Sequence, residues 1–126
     1  MQALPLMKVV EQLSQLLILR KCSMVTAESC TGGMVAAAIT EFPGISQCFE
    51  RGFVTYSNLA KQELLGVTPE TLEHYGAVSE ETAREMAEGA LRNSKAQVSL
   101  ATTGIAGPIG GSESKPVGTV CFAWSI

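Results

Sequence analysis

Ser29 and Lys61 are the residues of this chain best suited to making and breaking covalent bonds. Ser29 stands in TAESCTGG (26–33), where a short apolar run passes into a carboxylate, a hydroxyl, a thiol and two glycines. A strand-to-helix junction of this kind leaves the first helical N–H groups without partners. They can hold a phosphate or, equally, the oxyanion of an acyl-transfer intermediate. Ser29 is therefore open to three readings: nucleophile, phosphate ligand, or cap of the next helix. A serine that attacks a carbonyl needs a base. The single histidine, His74, lies in the polar stretch EHYG and is expected at the surface, so a Ser–His–Asp triad has little support. Lys61 is the better base, because a lysine that is partly desolvated near a helix N-terminus loses proton affinity. Tyr56, just upstream, is placed to join the same network and relay the proton.

Plainer roles compete for each of these residues. Lys61 also fits a solvated helix face, Thr103 a structural strand end, and the glycines of 107–111 a turn. Cys30 reads as packed, since no histidine partner is in sight. Glu28 has no second carboxylate or histidine at ligand spacing, so no metal is expected.

The elements that must position these groups alternate in type. Residues 5–20 place Leu6, Val9, Val10, Leu13, Leu16, Leu17 and Leu19 at mostly helical spacing. MVTA (24–27) reads as a short buried strand and 31–41 as a helix opened by Thr31 and two glycines. Pro43 and Gly44 end that helix. CFERGFVTYS (48–57) reads as a strand bent at Gly52, followed by a helix capped by Ser57 or Asn58 and stopped at Gly66. Thr68 and Pro69 open another helix, and Ser79 with an acidic first turn opens the long helix of 78–94. Residues 96–104 and 117–126 read as strands, joined by a Gly/Pro/Ser loop (105–116). Continuously apolar strands alternating with helices indicate an α/β sheet covered on both faces. Ligands of such sheets bind beyond the carboxyl ends of the strands. Three ends carry polar residues: Glu28 to Gly33; Tyr56 to Asn58 with Lys61; and Thr102 to Gly104 with Gly107, Pro108, Gly110 and Gly111.

Composition removes several function classes. The 126 residues are 46% hydrophobic and 17% charged, which indicates one globular domain. Nine basic against twelve acidic residues, with no basic run, argue against a nucleic-acid partner. No apolar run is long enough to span a bilayer, and the N-terminal segment lacks the pattern of a signal peptide. The cysteines, Cys22, Cys30, Cys48 and Cys121, sit in or beside apolar runs without a CxxC pair, and read as buried thiols of a cytoplasmic protein. The chain stops at its most hydrophobic strand, so a C-terminal segment of the domain is expected to be missing.

Five segments in order, TAESCTGG, GFVTYSNLAKQELLGV, YGAVSEETAREMAEGA, TTGIAGPIGG and KPVGTV, resemble the C-terminal domain of the competence/damage-inducible CinA proteins. That domain also exists alone as nicotinamide-nucleotide amidohydrolase. The resemblance covers nearly the whole chain from Met24 onward. It implies a three-layer α/β/α sandwich with a mostly parallel sheet. It also implies hydrolysis of nicotinamide mononucleotide to nicotinic acid mononucleotide and ammonia, without metal or organic cofactor. The family's serine nucleophile falls on Ser29, its lysine base on Lys61, its tyrosine on Tyr56 and its threonine on Thr103. By chemistry rather than by family, the amides of Cys30, Thr31, Gly32 and Gly33 are candidate oxyanion donors. In the same way, the Gly-rich loop of 104–111, with Gly104 and Gly107, is expected to lie against the ribose phosphate.

Two features depart from the family pattern. Ile109 stands where the family has glycine, and a β-branched residue there is expected to oppose a positive φ and crowd the ligand side. The family's phosphate-binding arginine lies beyond Ile126. Both features favour the alternative of a catalytically inactive nucleotide-binding relative, whereas retention of Ser29 and Lys61 favours the amidase. A competence/damage-related module is a third reading, weakened by the polar residues at three strand ends. Partners are expected to be a small nucleotide and further copies of the chain, since an exposed last strand needs a neighbour.

Overall fold

The computed structural model describes residues 5–126. Residues 1–4 lie outside the described part. The chain runs α1 (Leu6–Arg20), β1 (Met24–Glu28), α2 (Met34–Thr40), a 3-10 turn (Ile45–Gln47), β2 (Phe49–Val54), α3 (Asn58–Leu65), α4 (Pro69–Tyr75), α5 (Glu80–Arg92), β3 (Val98–Gly104) and β4 (Val120–Ser125). The strands form one sheet in the order β2-β1-β3-β4. β1 is parallel to both of its neighbours, and β4 runs antiparallel to β3. The result is the mixed α/β, mostly parallel architecture expected of the family.

Alternation along the strands sorts the core into two layers. Val25, Ala27 and Ala101 point to one face, where they pack with Leu65, Val67, Leu72, Met86, Ala87 and Ala90 of the α3–α5 side. Met24, Val98 and Leu100 point to the other, against Leu13 and Leu17 of α1, Val35 and Ile39 of α2, and Ile45. Helix starts follow local chemistry. Ser57, Thr68 and Ser79 each accept an amide three residues on, from Ala60, Thr71 and Thr82. Gly66 adopts the left-handed conformation (φ 69°) that ends α3.

Three expectations change. β4 is not covered on both faces: it is an edge strand on which exposed and half-buried residues alternate, with Phe122 58% and Trp124 72% exposed. Its apolar composition hid that alternation. The apolar stripe of α1 is also largely bare, since only Val10, Ser14 and Leu17 of this helix are buried. Finally, the register shift of β2 is not at Gly52. Its extra residue falls earlier, where the register steps from Met24↔Phe49 to Val25↔Arg51. Gly52 instead permits close approach, since a Cβ there would lie 2.8 Å from Thr26 Oγ1.

Of the cysteines, Cys48 is buried and Cys22, Cys30 and Cys121 are half-buried, all with free thiols. Among the described residues, no helix is long and apolar enough to cross a membrane.

Candidate active site

β1 and β2 are parallel neighbours with Glu28 opposite Val54, so their carboxyl ends open side by side. The turn after β1 carries Ser29. The segment after β2 carries Thr55 and Tyr56 and then α3, whose first turn holds Lys61. Two residues 32 positions apart in sequence thus meet: Lys61 Nζ lies 2.8 Å from Ser29 Oγ. The same ammonium donates to the carbonyl oxygens of Thr55 (2.9 Å) and Tyr56 (3.2 Å). Lys61 is 1% exposed and Ser29 6%, so the amine sits behind the hydroxyl.

Burial pushes the Lys61 proton affinity below the ordinary lysine range, and no carboxylate counters it. The three oxygens around Nζ are neutral. A lysine so placed can shed its proton and accept one from Ser29, as a base must. Tyr56 enters this network through its main-chain carbonyl, not its phenol. Its residue is 68% exposed, which differs from the expected phenolic relay.

The turn between β1 and α2 is tied down by Glu28, whose type alone suggested no more than a metal ligand. The Glu28 carboxylate, 1% exposed, accepts from Thr31 Oγ1 at 2.5 Å and from the amides of Gly33 (3.2 Å), Val35 (2.9 Å) and Ala36 (3.0 Å). Glu28, not Ser29, therefore serves as the cap of α2. The formal N-cap position belongs to Gly33, with φ 110° and no side chain to offer. Capping by a carboxylate six residues before the helix is outside the usual spacing, which is why the sequence did not announce it.

A model of the CinA C-terminal domain matches residues 6–126. The chain belongs to the CinA C-terminal domain family. Nicotinamide-nucleotide amidohydrolase PncC of Escherichia coli (strain K12) is 56% identical over 120 residues, which is 95% of this chain and 73% of that protein. A putative competence-damage inducible protein of Clostridium perfringens (strain 13 / Type A) is 57% identical over 87% of this chain, but only 27% of its own length is matched. Among solved structures, competence/damage inducible protein CihA from Agrobacterium tumefaciens superposes with a TM-score of 0.92 at 48% identity. That match covers 98% of this chain and 76% of the other. A CinA superfamily protein from Escherichia coli gives a TM-score of 0.93 at 43% identity, covering 100% and 75%.

In this CinA domain the remaining site residues fall as follows. Thr103 is buried, and its hydroxyl donates to the Ala77 carbonyl at 2.7 Å. Gly104 makes room for Cys30: a Cβ there would lie 2.9 Å from Cys30 Sγ and 2.6 Å from Thr119 O. Burial pushes the Cys30 thiol up, against the pull of its own backbone N–H and of Lys61, which disfavours a thiolate nucleophile. The glycine-rich loop closes on itself. A Cβ at Gly107 would meet Val117 Cγ1 at 2.3 Å, and one at Gly111 would meet Val117 N at 2.9 Å. The Cβ side of Gly107 and of Gly111 is thus filled by the chain's own Val117. Ile109 has no positive φ and is 89% exposed, so the anticipated backbone conflict does not arise. His74 is exposed on α4 and meets the Tyr75 ring edge-on at 4.8 Å.

Proposed function

We propose that this domain hydrolyses the carboxamide of nicotinamide mononucleotide to nicotinic acid mononucleotide and ammonia, with Ser29 as nucleophile and Lys61 as base. The observation that carries the reading is the 2.8 Å contact between a buried lysine amine and a serine hydroxyl. The substrate class is supported by the high identity to a nicotinamide-nucleotide amidohydrolase across 95% of the chain.

Neutral Lys61 takes the Ser29 proton as Oγ bonds to the carboxamide carbon. The carbonyl oxygen becomes an oxyanion, held by backbone amides of the turn after β1. Collapse of the tetrahedral species breaks the C–N bond. The Lys61 proton passes to the departing nitrogen, which leaves as ammonia. Water then attacks the acyl-enzyme, giving one proton to Lys61. When the Oγ–C bond breaks, that proton returns to Ser29 and the acid is released. The Thr55 and Tyr56 carbonyls keep the amine aimed throughout.

The test is ammonia release from nicotinamide mononucleotide by the purified chain beside Ser29→Ala. Release by the chain that is lost in a folded Ser29→Ala is the expected result. A wild-type protein without release, or an alanine variant that retains it, refutes the proposal.

A further inference from the structure

Every N–H from Ser29 to Ala37 can be followed to its acceptor or found without one. Ser29 N donates to Thr102 O, Gly32 N to Ser29 O, Met34 N to Thr31 O and Ala37 N to Gly33 O. Gly33, Val35 and Ala36 donate to Glu28. Only the amides of Cys30 and Thr31 donate to no other residue, and they directly follow Ser29. The candidate oxyanion donors narrow from four residues to these two.

What holds them there is Glu28. The Thr31 hydroxyl has one proton and contacts both Glu28 Oε1 and Thr102 Oγ1, the latter at 2.9 Å. A carboxylate only accepts, so Thr31 donates to Glu28 and Thr102 donates to Thr31. The turn is thereby pinned to β1 through Glu28 and to β3 through Thr102. The same carboxylate consumes the amides at the start of α2 that would otherwise compete for an anion.

We infer that Glu28 is a positioning residue for acyl transfer at Ser29. By saturating the start of α2 and fixing Thr31, it keeps the Cys30 and Thr31 amides free and aimed at the developing oxyanion. The start of α2 is then closed to the nucleotide phosphate, which must be held elsewhere. This rests on the Ser29 acylation reading above.

Two variants test it. Glu28→Gln keeps the volume but turns an N–H toward a backbone donor. Thr31→Val keeps the Glu28 bonds to the three backbone amides and cuts only the tie to the turn. Each is assayed for kcat, KM and pH midpoint with nicotinamide mononucleotide, for melting temperature, and for the rate at which a fluorophosphonate probe labels Ser29. In that labelling Oγ bonds to phosphorus, fluoride leaves, the hydroxyl proton passes to Lys61, and the phosphoryl oxygen occupies the same hole. Expected are a fall in kcat of roughly 10- to 100-fold, a KM within about twofold, an unmoved pH midpoint, and labelling slowed in parallel. A lowered melting temperature with unchanged kcat and labelling overturns the inference, as does wild-type behaviour of Thr31→Val should Glu28→Gln fail to fold. If the wild type is labelled at Ser29 but does not deamidate the nucleotide, the substrate reading fails alone, and the labelling rates still decide on Glu28. A wild type that is not labelled overturns both.

Discussion

Lys61 Nζ touches Ser29 Oγ at 2.8 Å and otherwise meets only main-chain carbonyls, so its charged form has no anionic partner. Burial therefore lowers its proton affinity, with only the nearby Cys30 thiol pulling the other way. The rate should rise with pH as Lys61 deprotonates, with a midpoint below the ordinary lysine value of 10.5. Folding stability shares this window. The native state binds fewer protons than the unfolded one between the lowered value and the ordinary one, so stability should rise with pH across that interval. Lys61→Met should abolish turnover and flatten that part of the stability profile. A Met variant with the wild-type pH–rate curve would remove Lys61 as the base.

The position of Lys61 depends on a missing methyl group on another helix. A Cβ at Gly89 of α5 would lie 1.8 Å from the carbonyl oxygen of Leu65, one turn beyond Lys61 on α3. In an unobstructed helix Gly→Ala stabilises by about 1 kcal/mol. Here overpacking should reverse the sign, with a loss of about 1–3 kcal/mol. As α3 shifts, kcat should fall without any change at Ser29. Denaturant unfolding and kinetics of Gly89→Ala check both, and a stabilised variant would show that the helices part without cost.

Ile109 offers the opposite expectation. Its side chain is 89% exposed and its φ is negative. Ile109→Gly should leave kcat and KM as they are and change stability by no more than about 1 kcal/mol, through added freedom of the unfolded chain. A marked rise in activity would mean that Ile109 does crowd the substrate.

Much of this arrangement was legible in the residues. Ser57, Thr68 and Ser79 announced three helix starts because their acceptors lie at the standard spacing from the amides they receive. The approach of Lys61 to Ser29 followed once the strands before them were taken as parallel. The cap on α2 was not legible, because Glu28 reaches it across a five-residue turn whose shape no local rule fixes. β4 was legible only in part: an exposed last strand was expected, but not that Val120, Phe122 and Trp124 would be apolar on the side that the structure leaves open. Composition records what a face would bury, not whether anything covers it. The glycines of 104–111 were likewise legible only in part. Their small size was evident, but whether a ligand or Val117 uses the space is decided only by the fold.

A base kept neutral by lost water differs in kind from one tuned by a neighbouring ion. Dissolved salt screens charges from one another but does not restore solvent to a buried amine. With Lys61 nearly sealed and surrounded by neutral oxygens, its neutral, proton-accepting fraction is set chiefly by burial. The dyad is therefore buffered against ionic strength: dilute and concentrated media present Ser29 with the same base.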